Sequence, residues 1–287
     1  MNAPSTSPLA EPGLTKEQFV NLRGLIYERC GIWIPDHKSY VITLRLENRL
    51  KACALMDFGE YFLYLRYDPR GPEEMMRVYE LITTSETSFY RNELQLRYLV
   101  DEPLAKLVQR AGASGQIRIW SAGCSTGEEP YTLAMMIRDK FAMSPALRNI
   151  SIQGSDISPM VLKTAEVGIY GSYALRTTPE SAIARHFDSR GSDRYSVKEQ
   201  VRQMVRLKHL NLMDQRAVRG MGKFDIILCR NVMIYFDQAS RAQVLNSFYD
   251  ALAPGGYLFV GHSETLHDAS RCFLPLPHPG AFGYVKH

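Results

Sequence analysis

From about residue 116 onward the chain alternates short apolar runs with helical periods, and this alternation restricts the fold more than any other feature of the sequence. Gln116 to Ser121 reads as a strand, Glu128 to Phe141 as a helix, Asn149 to Ser155 as a strand and Pro159 to Glu166 as a helix. Later come the strand Phe224 to Cys229, the helix Gln238 to Leu252 and the strand Tyr257 to Gly261. Alternation of this kind predicts an α/β fold, a parallel sheet covered on both faces with ligands at the carboxyl ends of its strands. Between Gly168 and Leu212 a polar stretch interrupts it. Tyr195 to Val197 and Val201 to Leu207 there predict two or three short antiparallel strands, an inserted subdomain of about residues 168–210. Ala281 to Val285 predicts one last strand.

The first part of the chain has a different period. Thr15 and Gln18 form a capping-box pattern, and Phe19, Leu22, Leu25 and Ile26 repeat at three and four before Gly31. A second helix, Ser39 to about Leu55, carries Ile42, Leu46, Leu50 and Cys53 on one face, with Lys38, Arg45 and Arg49 in a line beside it. Two more helices, Phe58 to Tyr67 and Pro72 to Ile82, flank the turn Asp68 to Gly71. The expected organisation is a disordered leader over 1–13, an all-helical domain over 14–92, a connecting helix over 93–110 and the α/β domain over 111–287. With 287 residues, two domains are the expectation.

Composition narrows the classes. A net charge of +4 is too small to mark a nucleic-acid binder. The cysteines Cys30, Cys53, Cys124, Cys229 and Cys272 are far apart and form no CxxC pair, which argues against a disulfide framework or a metal site and fits a reducing cytoplasm. The N-terminal stretch lacks the pattern of a signal peptide or a membrane span, so no membrane insertion is expected.

The chemistry gathers at strand ends. Ile117 to Pro130 is a strand, a small-residue turn and a helix start, in which Gly123 and Gly127 let the backbone approach a ligand closely. The turn is neither GxGxxG nor a phosphate loop. Glu128 and Glu129 in the first helical turn would repel a pyrophosphate but suit the ammonium of a methionine-like ligand, so the sign of charge favours S-adenosylmethionine over NAD. The same two acids would equally complement the helix dipole. Asp156 follows the second strand, where a carboxylate can accept ribose hydroxyls or cap a helix. Asn211 and Leu212 end the inserted segment and Arg230 and Asn231 end the strand from Phe224. Both pairs are placed for polar contacts to a ligand or for turn chemistry.

The motifs Thr83 to Arg91, Trp120 to Tyr131, Ser155 to Ile157, Cys229 to Phe236 and Gly261 to Glu264, taken in order, resemble those of the chemotaxis protein-glutamate methyltransferase (CheR) family. The resemblance covers nearly the whole chain. It implies a Rossmann-like S-adenosylmethionine-dependent domain with a small inserted antiparallel β-subdomain, preceded by a small all-α domain. It implies methyl transfer to glutamate side chains on the cytoplasmic helical region of chemoreceptors, with S-adenosylhomocysteine as product. Position by position it sets Ser85, Thr87, Arg91, Glu129, Asp156, Asn211, Leu212, Arg230 and Asn231 at the cofactor, and Glu129 is preferred to Glu128. Arg91 is expected to hold a carboxylate and Tyr235 to orient the acceptor oxygen or face the sulfonium. Ser85 departs from the Asn usual in the family and reaches less far. The stripe Lys38, Arg45 and Arg49 becomes a candidate dock for acidic receptor helices, against its reading as a solvated basic face. The loop Asp188 to Arg194 carries only Gly191, which points to recognition independent of a receptor's C-terminal pentapeptide.

Three rivals share parts of this pattern. A methyltransferase for another acceptor would keep the cofactor site, yet the chain lacks an Asn-Pro-Pro-Tyr-like strand end. A non-catalytic S-adenosylmethionine sensor or scaffold need not keep Arg91 and Tyr235. A dinucleotide oxidoreductase lacks its glycine spacing.

Overall fold

A computed structural model describes residues 13–83, 86–112, 114–264, 266, 273–278 and 280–287. The expected leader up to residue 12, Ser85 and Cys272 lie outside the described residues. The chain divides into two compact units, residues 1–83 and 84–287. No described helix is long and apolar enough to cross a membrane.

The first unit holds α1 (Lys16–Cys30), α2 (Tyr40–Ala52), α3 (Phe58–Tyr67) and α4 (Gly71–Ile82). The Thr15 hydroxyl accepts the Gln18 N–H at 3.2 Å and the Gln18 side chain accepts the Thr15 N–H at 3.0 Å, so the capping box closes. Gly31, at φ +72°, ends the helix in the left-handed region. Phe19, Leu22, Ile26, Ile42, Leu46, Leu50, Phe58 and Tyr61 supply the core.

Glu74 of α4 lies within that core, only 6% exposed. Arg49 donates two hydrogen bonds to it, at 2.8 and 2.6 Å, and the Tyr61 hydroxyl donates a third at 2.7 Å. Burial by itself would lift the Glu74 pKa, but the bonds from Arg49 and Tyr61 outweigh it and hold it below the ordinary value. Arg45 donates to the carbonyls of Leu81 and Thr83 at 2.8 and 3.2 Å, at the C-terminal end of α4. Lys38 is exposed and sits in the 3-10 turn Asp36–Lys38, before α2 begins. Two members of the basic stripe therefore do structural work within their own unit, and the third is not on the helix.

The second unit opens with α5 (Glu93–Leu99) and α6 (Ala105–Ala111). The expected continuous helix is broken between them by the π-helical segment Val100–Leu104 around Pro103, whose missing N–H forces a wider turn. Then follow β1 (Ile117–Ala122), α7 (Glu128–Phe141), β2 (Ile150–Asp156), α8 (Pro159–Val167), β3 (Ile169–Gly171), α9 (Glu180–His186), β4 (Phe187–Ser189), β5 (Arg194–Val197), α10 (Glu199–Arg202), β6 (Val205–His209), α11 (Gln215–Arg219), β7 (Phe224–Cys229), α12 (Gln238–Ala251), β8 (Leu252–Val260), β9 (Phe273–Pro275) and β10 (Gly283–Lys286).

Seven described strands form one sheet in the order β6-β2-β1-β7-β8-β10-β9. The first five are parallel; β10 runs antiparallel to β8 and to β9. Side-chain alternation builds two cores. Ile117, Ile119, Ile226 and Leu228 pack on one face with Leu133, Ile137 and other residues of α7, while Trp120, Ala122, Ile227 and Cys229 pack on the other with Val244 and Phe248 of α12. The order reverses between β1 and β7, which opens a crevice at their carboxyl ends.

A second sheet, β3-β5-β4, is antiparallel and forms the inserted subdomain. One expectation needs correction. The stretch Val201 to Leu207 is not a strand of the insert: Val201 belongs to α10, and β6 pairs parallel with β2 from Ile152↔Val205 to Asp156↔His209 at the edge of the main sheet.

Replacing Arg49 by Met should leave Glu74 buried without its cation and destabilise the first unit by about 3 kcal/mol in urea unfolding of the full chain. Because the Glu74 pKa is lower folded than unfolded, the stability it adds is complete above about pH 4.3 and is lost as pH falls through the folded value. An Arg49→Met protein with unchanged stability at pH 7 would show that the pair contributes nothing.

Candidate active site

Strand parity decides what faces the crevice. Ser121 lies on the β1 face that packs against α7, and Arg230, one residue beyond β7, continues the face of Ile226 and Leu228. Both meet Glu129, in the first turn of α7. The Ser121 hydroxyl donates to Glu129 Oε1 at 2.7 Å, and Arg230 Nη1 donates to Oε2 at 2.9 Å. The two side chains of the ion pair are 3% (Arg230) and 14% (Glu129) exposed. Glu128 is turned elsewhere: its carboxylate accepts the Thr126 hydroxyl at 2.7 Å, and burial raises its pKa despite that bond. Of the two acids, Glu129 is the one tied to both strand ends.

The turn between β1 and α7 visits the left-handed region three times, at Gly123 (φ +75°), Ser125 (φ +50°) and Gly127 (φ +94°). For a non-glycine residue this costs on the order of 1 kcal/mol, and the Ser125 N–H is held there by Asp156 Oδ2 at 2.9 Å. The reason for the glycines differs from the expectation. A Cβ at Gly123 would overlap Cγ2 of Val232, and one at Gly127 would lie 2.7 Å from the Ala165 Cβ. Both positions are closed by protein packing, rather than by a ligand pressed against the backbone.

Asp156, at the end of β2, also accepts the Ser158 N–H on Oδ1 at 3.0 Å. A carboxylate offers about four acceptor positions, so its amide partners leave acceptor capacity over. Burial lifts its pKa above the ordinary value, opposed by the amides of Ser158, Ser125 and Ile157. Asn211 and Leu212 follow β6, where the Leu210 N–H reaches the Asp156 carbonyl at 2.9 Å. The Asn211 side chain accepts the Met213 N–H at 3.0 Å, a turn role compatible with a site at the same sheet edge.

The segment from Glu86 to Arg91 crosses to this edge. Arg230 Nη2 donates to the Arg91 carbonyl at 2.7 Å, and the Arg91 guanidinium donates to the Glu86 carbonyl at 2.7 Å. The inserted subdomain grips the same segment. The Phe89 N–H bonds the Ala174 carbonyl at 2.9 Å, the Thr177 hydroxyl donates to the Phe89 carbonyl at 2.6 Å, and Arg176 reaches the Thr87 carbonyl at 3.3 Å. The turn after β7 places Asn231 at φ +60° and Tyr235, half-buried, in the 3-10 turn Met233–Tyr235.

The structure therefore brings Glu129, Arg230, the Arg91 backbone, Gly123, Asp156 and Asn231 to one sheet edge. It gives Thr87 an anchoring role through its carbonyl. Lys38, Arg45 and Arg49 belong to the other compact unit. Sequence reasoning gave no role to Ser121, whose hydroxyl braces Glu129, or to Glu264, whose buried carboxylate binds main-chain amides of the Asn231 turn. The strand-end position of Ser121 was visible in the sequence; the burial of Glu264 was not.

Residues 17–83 match the family model described as CheR methyltransferase, all-alpha domain, and residues 85–279 match CheR methyltransferase, SAM binding domain. Chemotaxis protein methyltransferase 2 of Vibrio cholerae is 35% identical over 275 residues, covering 95% of this chain and 94% of that protein. The chemotaxis protein methyltransferase of Borreliella burgdorferi is 36% identical over 255 residues (88% and 89% covered), and that of Escherichia coli 35% over 264 (91% and 88%). The cofactor of this domain is S-adenosylmethionine. The donor set fits it: two carboxylates flank the crevice, and the Ser125 hydroxyl and Arg230 Nε are buried with no protein partner among the described residues. This chain belongs to the CheR methyltransferase family.

Proposed function

We propose that this chain, a methyltransferase of chemotaxis-type signalling, acts in the cytoplasm and esterifies glutamate side chains on the helical region of a chemoreceptor. The observation that carries the reading is the Glu129–Arg230 pair at the strand crossover, with Asp156 on the neighbouring strand and Arg91 joined to the pair through its carbonyl. When bound, the cofactor supplies an electrophilic methyl group on a cationic sulfur.

The side chains divide the work. Glu129 would receive the cofactor's ammonium and Asp156 its ribose hydroxyls, while Asn211, Leu212 and Asn231 would border the nucleoside. Thr87 and Ser85 would contact the cofactor, as the family resemblance implies. Arg230 holds Glu129 in place. An acceptor glutamate has a reference pKa of about 4.3, so it arrives ionised near neutral pH and the chain needs no strong general base. What remains is positioning and exclusion of water. Arg91 would fix a carboxylate through paired hydrogen bonds, and Tyr235 would orient the acceptor oxygen. Among the described residues the Lys38 side chain has no hydrogen-bond or ion-pair partner, so it is the member of the basic stripe that could dock a receptor without loss of an internal bond.

Incubation with methyl-labelled cofactor and receptor-rich membranes should place label on the receptor that is released by mild base, as a carboxyl ester must be; base-stable label would refute glutamate as the acceptor. Arg91→Ala and Tyr235→Phe should each lower the methyl-transfer rate at least tenfold with the fold intact. Near-normal rates, with cofactor affinity unchanged, would remove both from the chemistry. Lys38→Glu should slow receptor methylation in a salt-sensitive manner without altering affinity for adenosylhomocysteine; identical receptor kinetics would discard the dock.

A further inference from the structure

Glu264 is 1% exposed, yet among the described residues its partners are main-chain amides rather than a cation. Its Oε2 accepts the N–H of Asn231 and of Gly261, each at 2.7 Å, and its Oε1 accepts the N–H of Ile234 at 3.1 Å. Gly261 directly follows β8, while Asn231 and Ile234 lie in the turn that follows β7. One carboxylate thus staples the ends of two neighbouring parallel strands. Hydrogen bonds from N–H groups to an ionised carboxylate are roughly twice as strong as neutral ones, and three of them compensate the burial of the charge.

The staple has a specific product. Asn231 is a non-glycine residue at φ +60°, a left-handed conformation that asparagine tolerates better than most residues but that still costs free energy relative to a right-handed one. Its N–H is one of the three held. Ile234 is the middle residue of the 3-10 turn that ends at Tyr235, and its N–H is another. A Cβ at Gly261 would press on Glu264 Oε2 and lie 3.1 Å from the Asn231 nitrogen, so the glycine keeps the carboxylate in place.

We infer that Glu264 is a positioning residue for methyl transfer: it fixes the turn after β7 and, through that turn, Asn231 and Tyr235. The inference rests on the roles proposed above for those two residues. Glutamine at 264 has a single acceptor oxygen and turns an NH2 group toward amide donors. Aspartate keeps the charge but is one methylene short.

The test uses the full-length chain carrying Glu264→Gln, with Val244→Ala, a truncation in the core beneath α12, as a control for plain loss of stability. Glu264→Gln should lower kcat at saturating cofactor and receptor at least tenfold and weaken adenosylhomocysteine binding at least threefold. Val244→Ala, at an equal or larger drop in melting temperature, should stay within twofold of wild type in both. Equal losses in the two variants would overturn the inference. If Glu264→Gln does not fold, Glu264→Asp is measured by the same criteria, and wild-type kcat and affinity in that variant would overturn it. Wild-type protein that transfers no methyl group would instead refute the proposed activity, and adenosylhomocysteine affinity would still decide the role of Glu264.

Discussion

The ion pair between Glu129 and Arg230 joins the carboxyl ends of the neighbouring strands β1 and β7, where strand order reverses, and the functional edge of the molecule is organised about it. Glu129 belongs to the helix after β1 and Arg230 to the turn after β7. Their bond therefore fixes the width of the crevice between the two strand ends. The Ser121 hydroxyl braces one carboxylate oxygen, and Arg230 uses its second amino group on the Arg91 carbonyl. A buried pair contributes little net stability compared with apolar residues of the same volume, but losing one partner leaves a charge stranded. Its retention makes sense as geometry, since three segments far apart in sequence meet at two side chains.

Around that pair, the turns are held by hydrogen bonds to carboxylates rather than by loop length. Asp156 holds the left-handed Ser125, and Glu264 holds the left-handed Asn231. Gly123 allows Val232 to close against the first turn, so the two strained turns are packed on each other. The inserted subdomain enters the same frame through Ala174, Arg176 and Thr177, which bind the backbone of the segment leading to Arg91. Polar groups with few alternatives set the site, and the apolar cores on the two sheet faces hold them in register.

Much of the fold was legible because its central strands carry short apolar runs, such as Ile226 to Cys229 and Tyr257 to Val260, set between helical periods. The helix Glu128–Phe141 and the strand Phe224–Cys229 were read to the residue. The misreading fell at the edge. In β6 the sequence Val-Arg-Leu-Lys-His alternates because that strand has one neighbour and a wet flank, and such alternation is the mark of a half-buried antiparallel strand. In the all-helical unit, spacing correctly aligned Arg45 and Arg49. Spacing could not show that Glu74 and the end of α4 would claim them, since those partners come from other helices. The buried carboxylate of Glu264 was equally hidden, for an acid after a strand gives no sign that amides from another turn will enclose it.

Calorimetric titration of the protein with adenosylhomocysteine, NADH and ATP bears most directly on the central claim, that a carboxylate-flanked crevice at the β1–β7 crossover receives a cationic nucleoside. Saturable one-to-one binding of adenosylhomocysteine, weakened at least tenfold by Glu129→Gln and with no heat from NADH or ATP, is the predicted result. Tight uptake of NADH or ATP with indifference to adenosylhomocysteine would contradict it.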